Sequence, residues 1–196
     1  MNPSDLPQLA IDTLKDPRGV AQRLIALKIP SETLWMGFGL IIVLNTLVYF
    51  VALATSPLGM QGAAMMPLPL QSPILFAFLL GGMLVMTVHA IYWTGSAMSG
   101  TAALGDILVL MTWLQTLRLA LQIALFVVHF LSPGLAAMVS MVLGIWGLWI
   151  LINFIDVAHG FGSPLKALSV LMAASFALFF GLVLMITLIG LVATNG

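Results

Sequence analysis

The chain of 196 residues contains no cysteine, and only 6% of it is charged. The first absence excludes disulfides, thiolate metal sites and cysteine nucleophiles. The second excludes an ordinary soluble domain, which carries about 25% charged residues. Six Lys and Arg balance six Asp and Glu, so no basic surface exists to neutralise phosphates, and nucleic acid is not an expected partner. The N-terminus lacks a signal peptide pattern: Lys15, Arg18, Arg23 and Lys28 all precede the first apolar run. No G-x-S-x-G, H-E-x-x-H or phosphate loop occurs. Neither a catalytic residue nor a cofactor is expected.

What is present is apolar length. Hydrophobic residues make up 62% of the chain, and mean hydropathy is +1.19. A hydrocarbon core about 30 Å thick needs roughly 20 apolar residues per helix. Five stretches meet that need, near 33–54, 73–98, 103–130, 134–157 and 165–192. The expected fold is an all-α membrane protein, with a five-helix transmembrane bundle over 31–196 and an amphipathic arm over 1–30.

Punctuation supports these spans. Ser31, Glu32 and Thr33 supply capping oxygens for the first, and Pro73 and Pro164 each follow a serine. Ser132 and Pro133 divide the third span from the fourth, and Gly100 and Gly105 divide the second from the third. In the arm, Ser4 or Asp5 caps a short helix carrying Leu6, Leu9 and Leu14. Asp16 and Pro17 then start another carrying Val20, Leu24 and Leu27. Such an arm either lies on the headgroups or caps the ends of the bundle.

Four of the six Lys and Arg residues lie in the arm, and Lys166 lies beside the fourth-to-fifth connection. The positive-inside rule therefore puts the N-terminus in the cytoplasm and the C-terminus outside, as an odd number of spans requires. In the uncharged loop over 55–72, Met60, Met65 and Met66 offer soft donors of the kind that bind Cu(I). With no regular thioether motif the loop is expected to rest on the interface, and no metal site is expected.

Polar groups inside spans carry the functional signal, because an unpaired charge at the bilayer centre is costly. At 100° per residue Gln115, Arg118, Gln122 and His129 share one sector of the third span, with Trp113 opposite. This stripe is expected to face the bundle interior. Asn45, at similar depth on the first span, is the expected neighbour of Arg118, although a neutral amide leaves the guanidinium needing an anion. Nearer the arm lie His89, Tyr92, Asp106, Asn153, Asp156 and His159. Asp106 suits a helix N-terminus, whereas Asp156 near a C-terminus opposes the helix dipole. An interhelical hydrogen-bond network is expected here, ahead of a metal site or a proton relay.

The stretch GTAALGDILVLMTWLQ, opening the third span, and WGLWILINFIDVAHGFGSPLKAL, joining the fourth to the fifth, resemble the bacterial branch of the Yip-domain family. Gly100, Gly105, Trp146, His159, Gly160, Lys166 and Ala167 carry the resemblance. It implies an integral protein of the trafficking-associated type, in this branch in the bacterial inner membrane. Its eukaryotic relatives bind small Rab-type GTPases, but this sequence lacks their acidic N-terminal region and Asp-Leu-Tyr-Gly-Pro-like motif, so Rab binding does not carry over. The expected function is non-enzymatic binding of membrane lipids and of other membrane proteins, or of itself. The rival readings are a small transporter or ion relay using Arg118, and an accessory subunit of a membrane complex.

Overall fold

The computed structural model describes residues 5–55 and 68–195. Two short helices, α1 (Leu6–Lys15) and α2 (Pro17–Ala26), precede five long ones: α3 (Ser31–Thr55), α4 (Pro73–Ala97), α5 (Leu104–Leu131), α6 (Pro133–His159) and α7 (Pro164–Asn195). A helical turn at Leu68–Gln71 leads into α4. All five long helices are long and apolar enough to cross a membrane. The protein is an integral membrane protein with five transmembrane helices. The methionines Met60, Met65 and Met66 and the cap candidate Ser4 lie outside the described residues.

Local chemistry sets the boundaries. The Asp16 side chain accepts from Gly19 N at 3.0 Å and starts α2 ahead of Pro17. Ser72 and Ser132 accept from Leu75 N and Leu135 N, each just before a proline at the first turn. Asp106 accepts from Ala103 N at 2.9 Å, closing the first turn of α5. Helix α6 stops at Gly160, whose φ of +67° is a left-handed conformation that favours glycine.

Helix α5 is central and packs against α3, α6 and α4, while α4 and α6 pack on α7. The core is not spread evenly along these helices. In α3 the buried residues end at Thr46, in α4 they begin at Val88, and in α5 they end at Leu117. Apart from Ala136, those of α6 begin at Ile150. Each range falls in the half nearest the arm, where Phe38, Ile91, Leu108, Phe154 and Val170 are almost wholly enclosed.

The arm closes that end. Helix α2 packs on α6 and α5, with Val20, Ala21 and Leu24 buried and Leu27 exposed. Helix α1 buries Leu9 and leaves Leu6 at the surface. Of the two arrangements open to an amphipathic arm, this is the one that caps the bundle.

Candidate functional site

Two polar groupings lie in the bundle, one beneath the arm and one in the opposite half. Beneath the arm, Asp156 is only 2% exposed, and its position near the C-terminus of α6 demands a counter-charge. The arm supplies it. Arg18 pairs with Asp156 through Nη2 and donates from Nε to Asn153 Oδ1 at 2.9 Å. The second Asp156 oxygen accepts from Ser163 N at 2.8 Å, while Asn153 Nδ2 donates to Trp149 O. One carboxylate thus fixes the arm, the end of α6 and the turn into α7. A second bond ties the arm to α5, where Trp113 Nε1 donates to the buried Thr13 Oγ1 at 3.0 Å.

One turn beyond Asp156, the ring of His159 is enclosed between helix ends at 1% exposure. Its Nδ1 lies 3.1 Å from Ile155 O, which requires the Nδ1–H tautomer. Its carbonyl accepts from Thr101 N and Thr101 Oγ1, satisfying an orphan group at the helix end. The ring stacks on Phe161 at 5.1 Å, and Lys166 Nζ lies 4.7 Å from the Phe161 ring centre. A Cβ built on Gly95 or on Gly100 would collide with this imidazole. Glycine is therefore required at both positions by close packing rather than by φ. Gly100 thus meets the segment that holds His159, Gly160 and Lys166 from across 59 positions of the chain, with Ala167 fully buried nearby in α7.

The other arm-side candidates stand apart from this cluster. His89 donates from Nδ1 to Val85 O and lies between Trp35 and Trp93, at 6.5 and 5.7 Å between ring centres. Tyr92 is half-buried against the core, and Asp106 is occupied in capping its own helix. The expected single layer is thus divided, because depth along a helix does not say which neighbour a side chain meets. Among the described residues no group of three His, Cys, Asp or Glu could hold a metal.

In the opposite half the stripe on α5 is only partly inward. Gln115 is buried, but Arg118 and His129 are exposed. Among the described residues nothing hydrogen-bonds or ion-pairs with the Arg118 guanidinium. The expected pairing with Asn45 is not formed, since the buried Asn45 turns its amide to Ile41 O of its own helix at 2.8 Å. The physical reason is that Arg118 lies on the exposed side of α5 whereas Asn45 is buried. Farther from the arm, α3, α5 and α6 stand apart. They leave a cavity of about 510 Å³ lined by Val48, Tyr49, Gln122, Phe126, His129 and Ser140 among others. Gln122 Oε1 is buried there without a hydrogen-bond partner.

A model of the Yip1 domain matches residues 11–185, from the arm through most of α7. The chain belongs to the Yip1 domain family. No curated protein and no solved structure matches it. The match to the Yip1 domain takes in both polar groupings and the arm that locks onto the first. Composition alone did not point to Arg18, Thr13, Phe161 or Ser163. The available signal was Asp156 itself, an acid at the wrong helix end, together with the four cations gathered in the arm.

Proposed function

We propose that this Yip1 domain protein acts by binding other components of its membrane, lipid or protein, and not by catalysis. The observation that carries the reading is Arg118, an exposed, unpaired guanidinium about midway along a transmembrane helix. A bare charge at that depth costs about 2.5–3.5 kcal/mol even on insertion scales. A counter-group brought by another molecule offsets that cost. The arm-side polar groups do not serve this role, since Asp156, Asn153 and Asp106 are already occupied within the chain.

The same distribution speaks against an ion relay, which needs titratable groups in sequence across the bundle, whereas His89, Asp106 and Asp156 are each held by separate partners. We place the chain in a bacterial cytoplasmic membrane, with the arm on the cytoplasmic side where its four basic residues belong. Because the chain has no cysteine, Leu121→Cys, one turn from Arg118 on the same helix, gives a unique attachment point for a photo-crosslinker and leaves the guanidinium in place. Adducts with lipid or protein are expected from native membranes. Recovery of the protein free of any adduct at that position, while a probe at a membrane-facing control site such as Met138 reacts with lipid, would overturn the reading.

A further inference from the structure

We propose that Arg118 and the cavity between α3, α5 and α6 form a binding site for one anionic lipid, whose headgroup meets the guanidinium while its chain lies in the cavity. This rests on the binding reading above and names the partner. At 100° per residue Gln122, Leu125, Phe126 and His129, which line the cavity, all fall within about 80° of Arg118 on α5. Gln122 lies about 6 Å and His129 about 17 Å from Arg118 along the helix axis, at 1.5 Å per residue. The three polar side chains therefore descend one face, from the far end of the bundle to its middle.

The remaining polar groups on the wall leave Gln122 as the available amide. Ser140 Oγ donates to Ala137 O and Thr55 Oγ1 to Val51 O, each within its own helix. Gln122 Oε1 has no partner, and a half-turn of the amide presents its NH₂ as a donor instead. A guanidinium with an amide one turn away suits a phosphate or carboxylate, which accepts several donors at once. The apolar part of the wall, including Val48, Ala52, Leu53, Leu125 and Phe126, offers an anion nothing and an acyl chain a dry surface. A volume of about 510 Å³ lies within the ~300–1,000 Å³ of ordinary ligand sites. Charge and wall chemistry together select an amphiphile over a free anion.

The test is native mass spectrometry of the full chain released from nanodiscs of equal phosphatidylglycerol and phosphatidylcholine. One phosphatidylglycerol is expected to remain bound, about tenfold in preference to phosphatidylcholine, the scale of one charge-assisted contact. Arg118→Gln is expected to abolish the preference. Ser140→Trp, which fills the cavity with Arg118 intact, is expected to abolish retention. Neither substitution touches the packed core, and thermal unfolding of each variant checks this. Equal retention of the two lipids, an undiminished preference in Arg118→Gln, or displacement by millimolar inorganic phosphate would overturn the proposal. A protein crosslinked at position 121, with Arg118 intact, in place of lipid would overturn it while leaving the binding reading intact. Absence of both adducts would overturn both.

Discussion

The two halves of the bundle use the same kinds of residue to opposite ends. On the arm side, a buried acid, an arginine and an asparagine are tied into one packed structure, and a histidine is enclosed beside them with only its Nε2 unpartnered. Farther along, a glutamine and a histidine line a cavity with an exposed arginine one turn from the glutamine, and neither the guanidinium nor the glutamine Oε1 has a partner among the described residues. An arginine in a membrane protein is thus not by itself a functional residue. Arg18 is structural because its acceptors lie within the chain, whereas Arg118 is exposed and has no acceptor among the described residues.

Glycine substitutions test the packing side of this contrast and should show the largest effect. Gly95→Ala and Gly100→Ala drive a methyl group into the His159 ring and are expected to cost about 1–3 kcal/mol each. His159→Ala in the same chain should recover part of that loss. Gly134→Ala and Gly144→Ala in the far half meet nothing within 4 Å, and a change within about 0.5 kcal/mol is expected. Reversible unfolding in mild detergent measures all of them, and equal costs in both halves would erase the comparison.

Removing the arm's anchors should give the next largest effects. Arg18→Ala leaves Asp156 buried without its cation; because Arg18 is 42% exposed and therefore screened, a loss of about 1–2 kcal/mol is expected. Limited proteolysis should then cut the α1–α2 segment sooner than in the native chain. Thr13→Val keeps the side-chain shape and removes the hydroxyl that accepts from Trp113 and donates to Leu9 O, for an expected cost of about 1–2 kcal/mol. Unchanged protease resistance in both variants would show that apolar packing alone holds the arm.

The smallest effect concerns pH. Hydrogen bonds from Gln8 and then Arg23 hold the Asp12 carboxyl below its ordinary value of 3.8. A depressed acid contributes stability that is present above its ordinary value and lost as the pH falls through the lower folded one. Unfolding of the arm should therefore become slightly easier only below about pH 4, and Asp12→Asn should remove that slope. Hydrogen exchange of α1 amides reports it, and an unaltered slope in Asp12→Asn would assign the effect to another group.

Much of this organisation was legible in the sequence, for definite reasons. Five apolar runs of sufficient length give five spans, and Asp16–Pro17, Ser72–Pro73 and Ser132–Pro133 mark helix starts because a cap and its proline act within one turn. Asp106 declared its capping role in the same way. The pairing of Arg18 with Asp156 spans 138 positions and was not legible, since helical periodicity gives the direction of a side chain and not the element that it meets. The same limit explains Arg118. Its sector on α5 was readable, but which part of that sector the neighbouring helices cover was not, and the expected interior contact with Asn45 gives way to an exposed guanidinium.

The most direct test sets the two arginines side by side. Arg18→Ala and Arg118→Leu are unfolded reversibly in bilayers of phosphatidylcholine alone and in bilayers containing phosphatidylglycerol. The expected result is that Arg18→Ala is destabilised equally in both, whereas the native chain gains stability from phosphatidylglycerol and Arg118→Leu loses that gain. A lipid response that is the same for both variants would contradict the division of the bundle into a closed structural half and an open ligand-binding one.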